Sequence, residues 1–336
     1  MTLLIIADFK YLCIVDWKKK IFRNHSPSEF EDLAFEVFQY QMEHCKVYSN
    51  YAKALKRLNP SSLNEIPFLP ISFFKSHKIH ASPGRDIEAV FKSSGTGGDR
   101  SQHNVQDLSI YEDSFLSAFK NFIGAPEKFV ILGLLPNYIE QGDSSLVFMV
   151  SALMQKSKSR HSKFLLDNPG EIPALIEAAK NEGREVLLFG VSYSLLNLID
   201  LKIDLMGCKV IETGGMKGRR KEMSKAKMHS LLCRELNISS LYSEYGMTEL
   251  LSQAYCEQDL VFSEPPWMKV LFRDQSDPLT IINGDKSSGI NVIDLANIYS
   301  CSFIATDDVG IKRKSGFEIL GRIQYSDIRG CNLLVE

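Results

Sequence analysis

No Cys-x-x-Cys pair occurs in this chain, and its cysteines at 13, 45, 208, 233, 256, 301 and 331 lie far apart. Such spacing offers neither a disulfide framework nor a zinc site, so reduced thiols in a cytoplasmic protein are the expectation. Charge of one sign is also lacking. A net charge of −2 gives no global pull towards nucleic acid or an anionic membrane. No apolar run reaches the length needed to cross a bilayer. The apolar start Met1–Ala7 is short and is interrupted by Asp8 and Lys10. No basic segment precedes it and no small-residue cleavage site follows, so it does not read as a signal peptide. Internal repeats and low-complexity segments are absent. What remains is an ordinary globular balance, 44% apolar and 24% charged, in 336 residues, enough for one large or two ordinary domains.

The most chemically loaded stretch is Phe91 to Gln102. It holds Ser93, Ser94, Gly95, Thr96, Gly97 and Gly98, followed by Arg100. Glu88 to Phe91 reads as a short strand leading into it; beyond it the chain turns polar. Glycines let backbone N–H groups converge on an anion, hydroxyls add donors, and a cation neutralises charge. The stretch has no Gly-Lys-Ser/Thr ending and no Gly-x-Gly-x-x-Gly, which excludes the Walker A and dinucleotide fingerprints. Taken alone, a loop of this composition is more often a plain turn.

Ser26, Pro27 and Glu29 read as N-cap, first position and capping-box partner of a helix. Phe30, Leu33, Ala34, Val37, Phe38 and Met42 recur at helical spacing, predicting a helix to about Ser49. Another follows near Tyr51 to Leu58, ended by Asn59-Pro60. Ile66 to Lys75, with two prolines, predicts an extended segment entering a short helix. Strands at 128–135, 184–190, 208–213 and 239–242 then alternate with helices at 111–122, 144–154, 173–181, 193–198 and 221–236. That alternation predicts an α/β fold with a largely parallel sheet, whose ligands bind beyond the carboxyl ends of the strands. After about Glu257 strands dominate, at 268–272, 280–282, 289–294, 302–305 and 316–320. The expected division is an α/β core with an N-terminal helical segment over 1–257, and a smaller β-rich lobe with its tail over 258–336.

Four more segments carry chemistry. Glu212-Thr213-Gly214-Gly215 ends a strand, and Gly214 and Gly215 would let a flat base approach the backbone. Glu244-Tyr245-Gly246-Met247-Thr248-Glu249 follows another strand. Its aromatic can stack on a base, its hydroxyl can bind phosphate, and its last carboxylate can hold magnesium. Thr306-Asp307-Asp308-Val309-Gly310 reads as a turn that could hold ribose hydroxyls, or as a β-turn and nothing more. Gly321-Arg322 adds a cation.

In this order the segments resemble the adenylate-forming enzymes: acyl-CoA synthetases, peptide-synthetase adenylation domains and luciferases. The resemblance covers the large N-terminal part of that superfamily. It implies that the usual C-terminal domain, about a hundred residues, is absent together with its catalytic lysine. A closer resemblance covers nearly the whole chain. Glu36 to Gln41, Pro67 to Pro70, Ser93 to Gly98, Glu212 to Arg219, Glu244 to Glu249 and Arg329-Gly330-Cys331 look like the LuxE family. Those are the acyl-protein synthetases of the bacterial bioluminescence fatty-acid reductase complex. The resemblance implies ATP-dependent activation of a fatty acid as acyl-adenylate, with Mg2+ as cofactor, then acyl transfer to a cysteine and on to an acyl-CoA-reductase-like (LuxC-type) partner.

On this reading Ser93, Ser94, Gly95, Thr96, Gly97 and Gly98 cradle phosphate, with Arg100 assisting where the wider superfamily usually has lysine. Tyr245, beside Gly246, stacks on adenine, Thr248 contacts phosphate and Glu249 holds Mg2+. Asp308, rather than Asp307, takes the ribose, and Arg322 the ribose or a phosphate. Cys331 is the acyl-accepting nucleophile. Lys217 and Arg219 either steer phosphate or form a solvated turn. Two other functions fit the sequence: an acid–CoA ligase for an aryl or short-chain acid, and a non-catalytic nucleotide- or acyl-binding subunit. Neither nucleic-acid binding nor stable membrane insertion is expected.

Overall fold

After a short helix α1 (Trp17–Ile21), Ser26 caps α2 (Pro27–His44) as its sequence predicts. The Glu29 amide donates to Ser26 Oγ at 3.3 Å, and the Ser26 amide donates to Glu29 Oε2 at 2.8 Å. These details come from a computed structural model that describes residues 15–82, 84–94, 100–135, 142–214, 223–257, 259–282 and 286–323. The buried stripe of α2 is Phe30, Leu33, Ala34, Val37, Phe38 and Gln41. The single helix expected to reach Ser49 breaks at Cys45, whose ψ of 94° is extended, and α3 (Lys46–Ala54) starts anew. Both Cys45 and Tyr48 remain in the core, so apolar spacing runs through the break without marking it. The chain leaves α3 with Lys56 at φ +57°, earlier than Asn59-Pro60 predicts.

The first strands are β1 (Leu69–Pro70), β2 (Ala89–Lys92) and β3 (Gln102–Val105), with α4 (Phe73–Ser76) between the first two. The strand β3 lies where the sequence only turned polar. It pairs antiparallel with β2, so the hydroxyl-glycine stretch joins two arms of a hairpin. The alternation follows: α5 (Leu108–Phe122), β4 (Phe129–Leu134), α6 (Ser145–Ser157), β5 (Lys163–Phe164), α7 (Ile172–Asn181), β6 (Glu185–Val191), α8 (Ser192–Asp200), β7 (Lys209–Thr213), α9 (Lys225–Glu235), β8 (Leu241–Tyr245) and β9 (Ala254–Glu257). Among the described residues these strands form a six-stranded sheet in the order β5-β4-β6-β7-β8-β9, parallel except for β9.

Both faces of that sheet are covered, which is why its strands read as continuous apolar runs. Val130, Leu132, Val186, Leu188 and Val210 pack with α7, α8 and α9. Their strand neighbours Phe129, Ile131, Leu187, Phe189 and Ile211 pack with α5 and α6. Each fully buried side chain of this kind contributes about 1.5–3 kcal/mol.

The later chain supplies β10 (Met268–Arg273), β11 (Ser288–Asp294), β12 (Phe303–Arg313) and β13 (Gly316–Arg322). They pair antiparallel, and β1 joins β12 in parallel, so Leu69 and Pro70 lie in the same sheet as residues far along the chain. The strand expected at 280–282 reduces to a bridge between Arg273 and Ile281. Thr306 to Gly310, expected as a turn, lies inside β12 instead. Thr306, Asp308 and Gly310 are buried, alternating with the partly exposed Asp307 and Val309. A register shift beside Val309 and Gly310 places Asp308 opposite Arg322.

Candidate functional site

The β2–β3 hairpin is closed at its neck by two serines. The Ser93 amide donates to the Ser101 carbonyl and the Ser101 amide to Ser93 Oγ, both at 3.1 Å. Ser94 is exposed next to the neck. Gly95, Thr96, Gly97 and Gly98 lie outside the described residues. Arg100 turns back along the hairpin. Its Nε donates to the Ser93 carbonyl, its Nη2 to the Lys92 carbonyl at 3.3 Å, and its Nη1 to Asp143 Oδ2 at 3.2 Å. Lys92 Nζ approaches the same oxygen at 3.6 Å. Asp143, which the sequence did not single out, thus holds two cations beside the hydroxyl-glycine stretch.

At the carboxyl end of β7, Gly214 takes φ +79°, a left-handed conformation open to glycine; Gly215 is outside the described residues. Just before it, the buried Glu212 meets Lys225 Nζ at 3.1 Å and accepts from Ser243 Oγ at 3.0 Å. On the adjacent strand, burial pushes the Glu244 carboxyl up to about 7. Its side chain folds beneath Gly246, where an added Cβ would stand 2.3 Å from Glu244 Oε1. That close approach accounts for the glycine after Tyr245.

Tyr245, Asp308 and Arg322 come together. The Tyr245 hydroxyl donates to Asp308 Oδ2 at 2.9 Å, and Arg322 Nε donates to Asp308 Oδ1 at 3.2 Å. The Tyr245 ring is buried, edge-on to Phe317 at 5.4 Å and tilted against Phe262 at 5.9 Å. Burial raises the Asp308 carboxyl, against the opposing effect of the Arg322 charge. Burial also raises Glu249, while the Ser101 hydroxyl and the Arg322 charge act the other way. Glu249 is therefore linked to both the hairpin neck and the Asp308 group. The Thr248 carbonyl is 2.8 Å from His103 Nδ1, on β3. Tyr245, Thr248, Glu249, Asp308 and Arg322 thus gather where β8, β12 and the hairpin meet. Arg100 is committed to Asp143, and Cys331 lies outside the described residues.

His103 and Asp143 were missed for different reasons. A histidine in a polar run carries no periodic signal, and an aspartate ahead of a Ser N-cap reads as part of the cap. A concavity of about 490 Å³ lined by Phe122, Tyr242, Tyr255, Cys256 and Asp259 lies along the outer strand β9 and contains none of the predicted site residues. No helix among the described residues is long and apolar enough to cross a membrane.

A mostly parallel sheet, with a hairpin and an antiparallel sheet meeting it near its strand ends, is the architecture of the adenylate-forming ligases. Two solved structures share it. A 2-hydroxyisobutyryl-CoA ligase in complex with 2-HIB-AMP and CoA superposes with a TM-score of 0.67 at 11% identity, over 89% of this chain and 70% of that one. O-succinylbenzoate coenzyme A synthetase from Bacillus subtilis, in complex with ATP and magnesium, gives 0.50 at 15% identity, over 71% of this chain and 50% of that one. Residues 24–336 match the family described as "Acyl-protein synthetase, LuxE", and the chain belongs to that family. It is similar to the long-chain-fatty-acid–luciferin-component ligase of Aliivibrio fischeri, 22% identical over 90% of this chain and 86% of the relative. The protein is accordingly an enzyme of the acyl-protein synthetase family with the fold of the adenylate-forming ligases, and acyl activation is its class of reaction.

Proposed function

We propose that the protein activates a long-chain fatty acid with ATP as acyl-AMP, passes the acyl group to the Cys331 thiol, and delivers it to a reductase partner of the LuxC type. The observation that carries this reading is the convergence of Tyr245, Thr248, Glu249, Asp308 and Arg322 beside the hairpin neck at Ser93 and Ser101. The relative's name supplies the substrate class.

The described residues fit the nucleotide and its metal. Asp308 uses two of its acceptor positions on Tyr245 and Arg322, leaving capacity for ribose hydroxyls. Glu249 is a buried carboxylate for which a nearby cation would restore the charged form. One protein carboxylate plus substrate phosphates is a usual Mg2+ environment. When bound there, Mg2+ would neutralise charge on the phosphates.

In the first step a fatty-acid carboxylate oxygen bonds to the α-phosphorus, the bond to the β-phosphate bridging oxygen breaks, and pyrophosphate leaves. Ser93, Ser94, Thr96 and the loop glycines cradle the phosphates, Thr248 contacts them, and Arg322 adds charge. Positioning and charge stabilisation do most of the catalysis in such a transfer. Tyr245 bounds the adenine, with Gly214 and Gly215 allowing close backbone approach. Arg100 assists once it exchanges Asp143 for phosphate. In the second step the Cys331 thiolate, having lost its proton to solvent, attacks the acyl carbonyl carbon and AMP departs. We assign the core to 1–257 and the lobe carrying Cys331 to 258–336, in a cytoplasmic protein.

Acid-dependent pyrophosphate release with Mg2+-ATP across fatty and aryl acids tests the first step. Mass spectrometry of wild type against Cys331→Ser tests the second. An acyl adduct lost in the variant is expected. Adenylate without adduct, together with CoA-dependent turnover, would replace the reading with an acid–CoA ligase. Nucleotide binding without turnover on any acid would leave a non-catalytic subunit.

A further inference from the structure

His103 sits on β3 opposite Phe91 and is fully buried, edge-on to Phe74 with ring centroids 5.7 Å apart. A carbonyl oxygen can only accept, so the 2.8 Å contact with the Thr248 carbonyl puts the ring proton on Nδ1. No hydrogen bond of good geometry closes on Nε2 among the described residues, and the Asn297 side chain lies within reach of the ring. Burial lowers the imidazole to about 4, against the opposing pull of the Thr248 carbonyl and the Asn297 side chain, and so keeps the ring neutral. Asn297, whose side chain also reaches the His103 ring, donates from Nδ2 to the Glu249 carbonyl at 2.8 Å. Asn297 closes the 3-10 turn Leu295–Asn297 that follows β11. Two successive carbonyls, of Thr248 and Glu249, are therefore held by side chains from two separate elements.

We propose that His103 is a positioning residue, fastening the Thr248–Glu249 segment to the hairpin that carries Ser93 and Ser101. The inference rests on the adenylate-forming reading of the site. A buried hydrogen bond contributes little net stability when made, yet leaves a desolvated carbonyl unsatisfied when broken. Loss of the His103 donor frees the Thr248 carbonyl to turn, and the Thr248 hydroxyl and Glu249 carboxylate turn with it. Tyr245, Asp308 and Arg322 are held by other contacts and stay in place. The phosphate and metal end of the site should loosen while the adenosine end does not.

His103→Phe keeps an aromatic ring and removes the donor; His103→Asn returns a donor near the position of Nδ1. Calorimetric binding of Mg2+-ATP and of adenosine separates the two ends of the site. The expected result for His103→Phe is a loss of about tenfold in Mg2+-ATP affinity, with adenosine unchanged within about twofold. His103→Asn should recover most of the Mg2+-ATP affinity, and Asn297→Ser should weaken it in the same sense as His103→Phe. Equal Mg2+-ATP affinity in wild type and His103→Phe overturns the proposal, as does a parallel loss of both ligands, which marks a merely structural histidine. If His103→Phe does not fold, nitrogen NMR of the wild-type imidazole decides: protonation on Nδ1 is expected, and protonation on Nε2 overturns the proposal. Wild-type protein that binds no Mg2+-ATP would instead overturn the nucleotide-site reading, and this inference with it.

Discussion

Asp294 and Asp308 lie on neighbouring antiparallel strands of one sheet, and burial raises the carboxyl of each. Their surroundings differ. Asp294 accepts from the Leu251 amide at 2.8 Å, the Ser252 amide at 3.1 Å, Ser252 Oγ at 2.5 Å and the Ala296 amide at 3.2 Å. Four donors fill the acceptor capacity of a carboxylate. Asp308 accepts from Tyr245 and Arg322, and the arginine side chain is 64% exposed. A saturated buried carboxylate is a fastening: it joins the turn after Glu249 to the end of β11. An unsaturated one, beside an exposed cation, keeps acceptor positions open, as the proposed ribose contact requires. Burial and raised pKa alone do not separate the two roles; the count of donors does.

The strongest attempt to break this contrast is Asp294→Ala. It leaves three backbone amides and a serine hydroxyl facing a void, and the expected cost is about 3–5 kcal/mol, read from urea unfolding. Acidity probes the same residue. Its folded pKa of about 6 exceeds the ordinary Asp value of 3.8. The protonated form therefore favours the fold, so this contribution is full below about pH 4 and is lost as pH rises through about 6. The stability difference between wild type and Asp294→Asn should shift by up to about 3 kcal/mol over that window, in favour of the variant at higher pH. A flat difference would mean that the four donors outweigh burial.

Asp308→Ala should be milder for the fold, about 1–2 kcal/mol by unfolding, because both partners have other surroundings. Its nucleotide affinity should fall by about tenfold or more in calorimetry. If Asp308→Ala unfolds the protein as Asp294→Ala does while nucleotide binding per folded molecule is unchanged, the distinction fails. Arg322→Ala is the smallest perturbation. Its exposed pairing predicts a stability change within about 0.5 kcal/mol, with the effect appearing in nucleotide binding.

Several features were legible before any coordinates. The Ser26–Glu29 capping box starts its helix where expected. The strand–helix alternation gives the parallel sheet, because strands buried on both faces must be apolar throughout. The misreadings also have physical causes. Thr306 to Gly310 has turn composition, yet its buried threonine and aspartate find hydrogen-bond partners from within β12 in Ile290, Tyr245 and Arg322. Gln102 to Val105 reads as polar loop because His103 and Asn104, though buried, are not apolar. The break at Cys45 is invisible because both sides of it keep the helical period.

The sequence alone determined the order of the strand-end segments, the local caps and the resemblance to the LuxE family, since each depends on residues close together in the chain. Tertiary structure decided the partners. Tyr245 meets Asp308 across 63 residues and His103 meets Thr248 across 145. No local pattern encodes such pairs. They exist because two sheets and a hairpin pack against one core, and that packing determines which buried polar groups are left with capacity for a ligand.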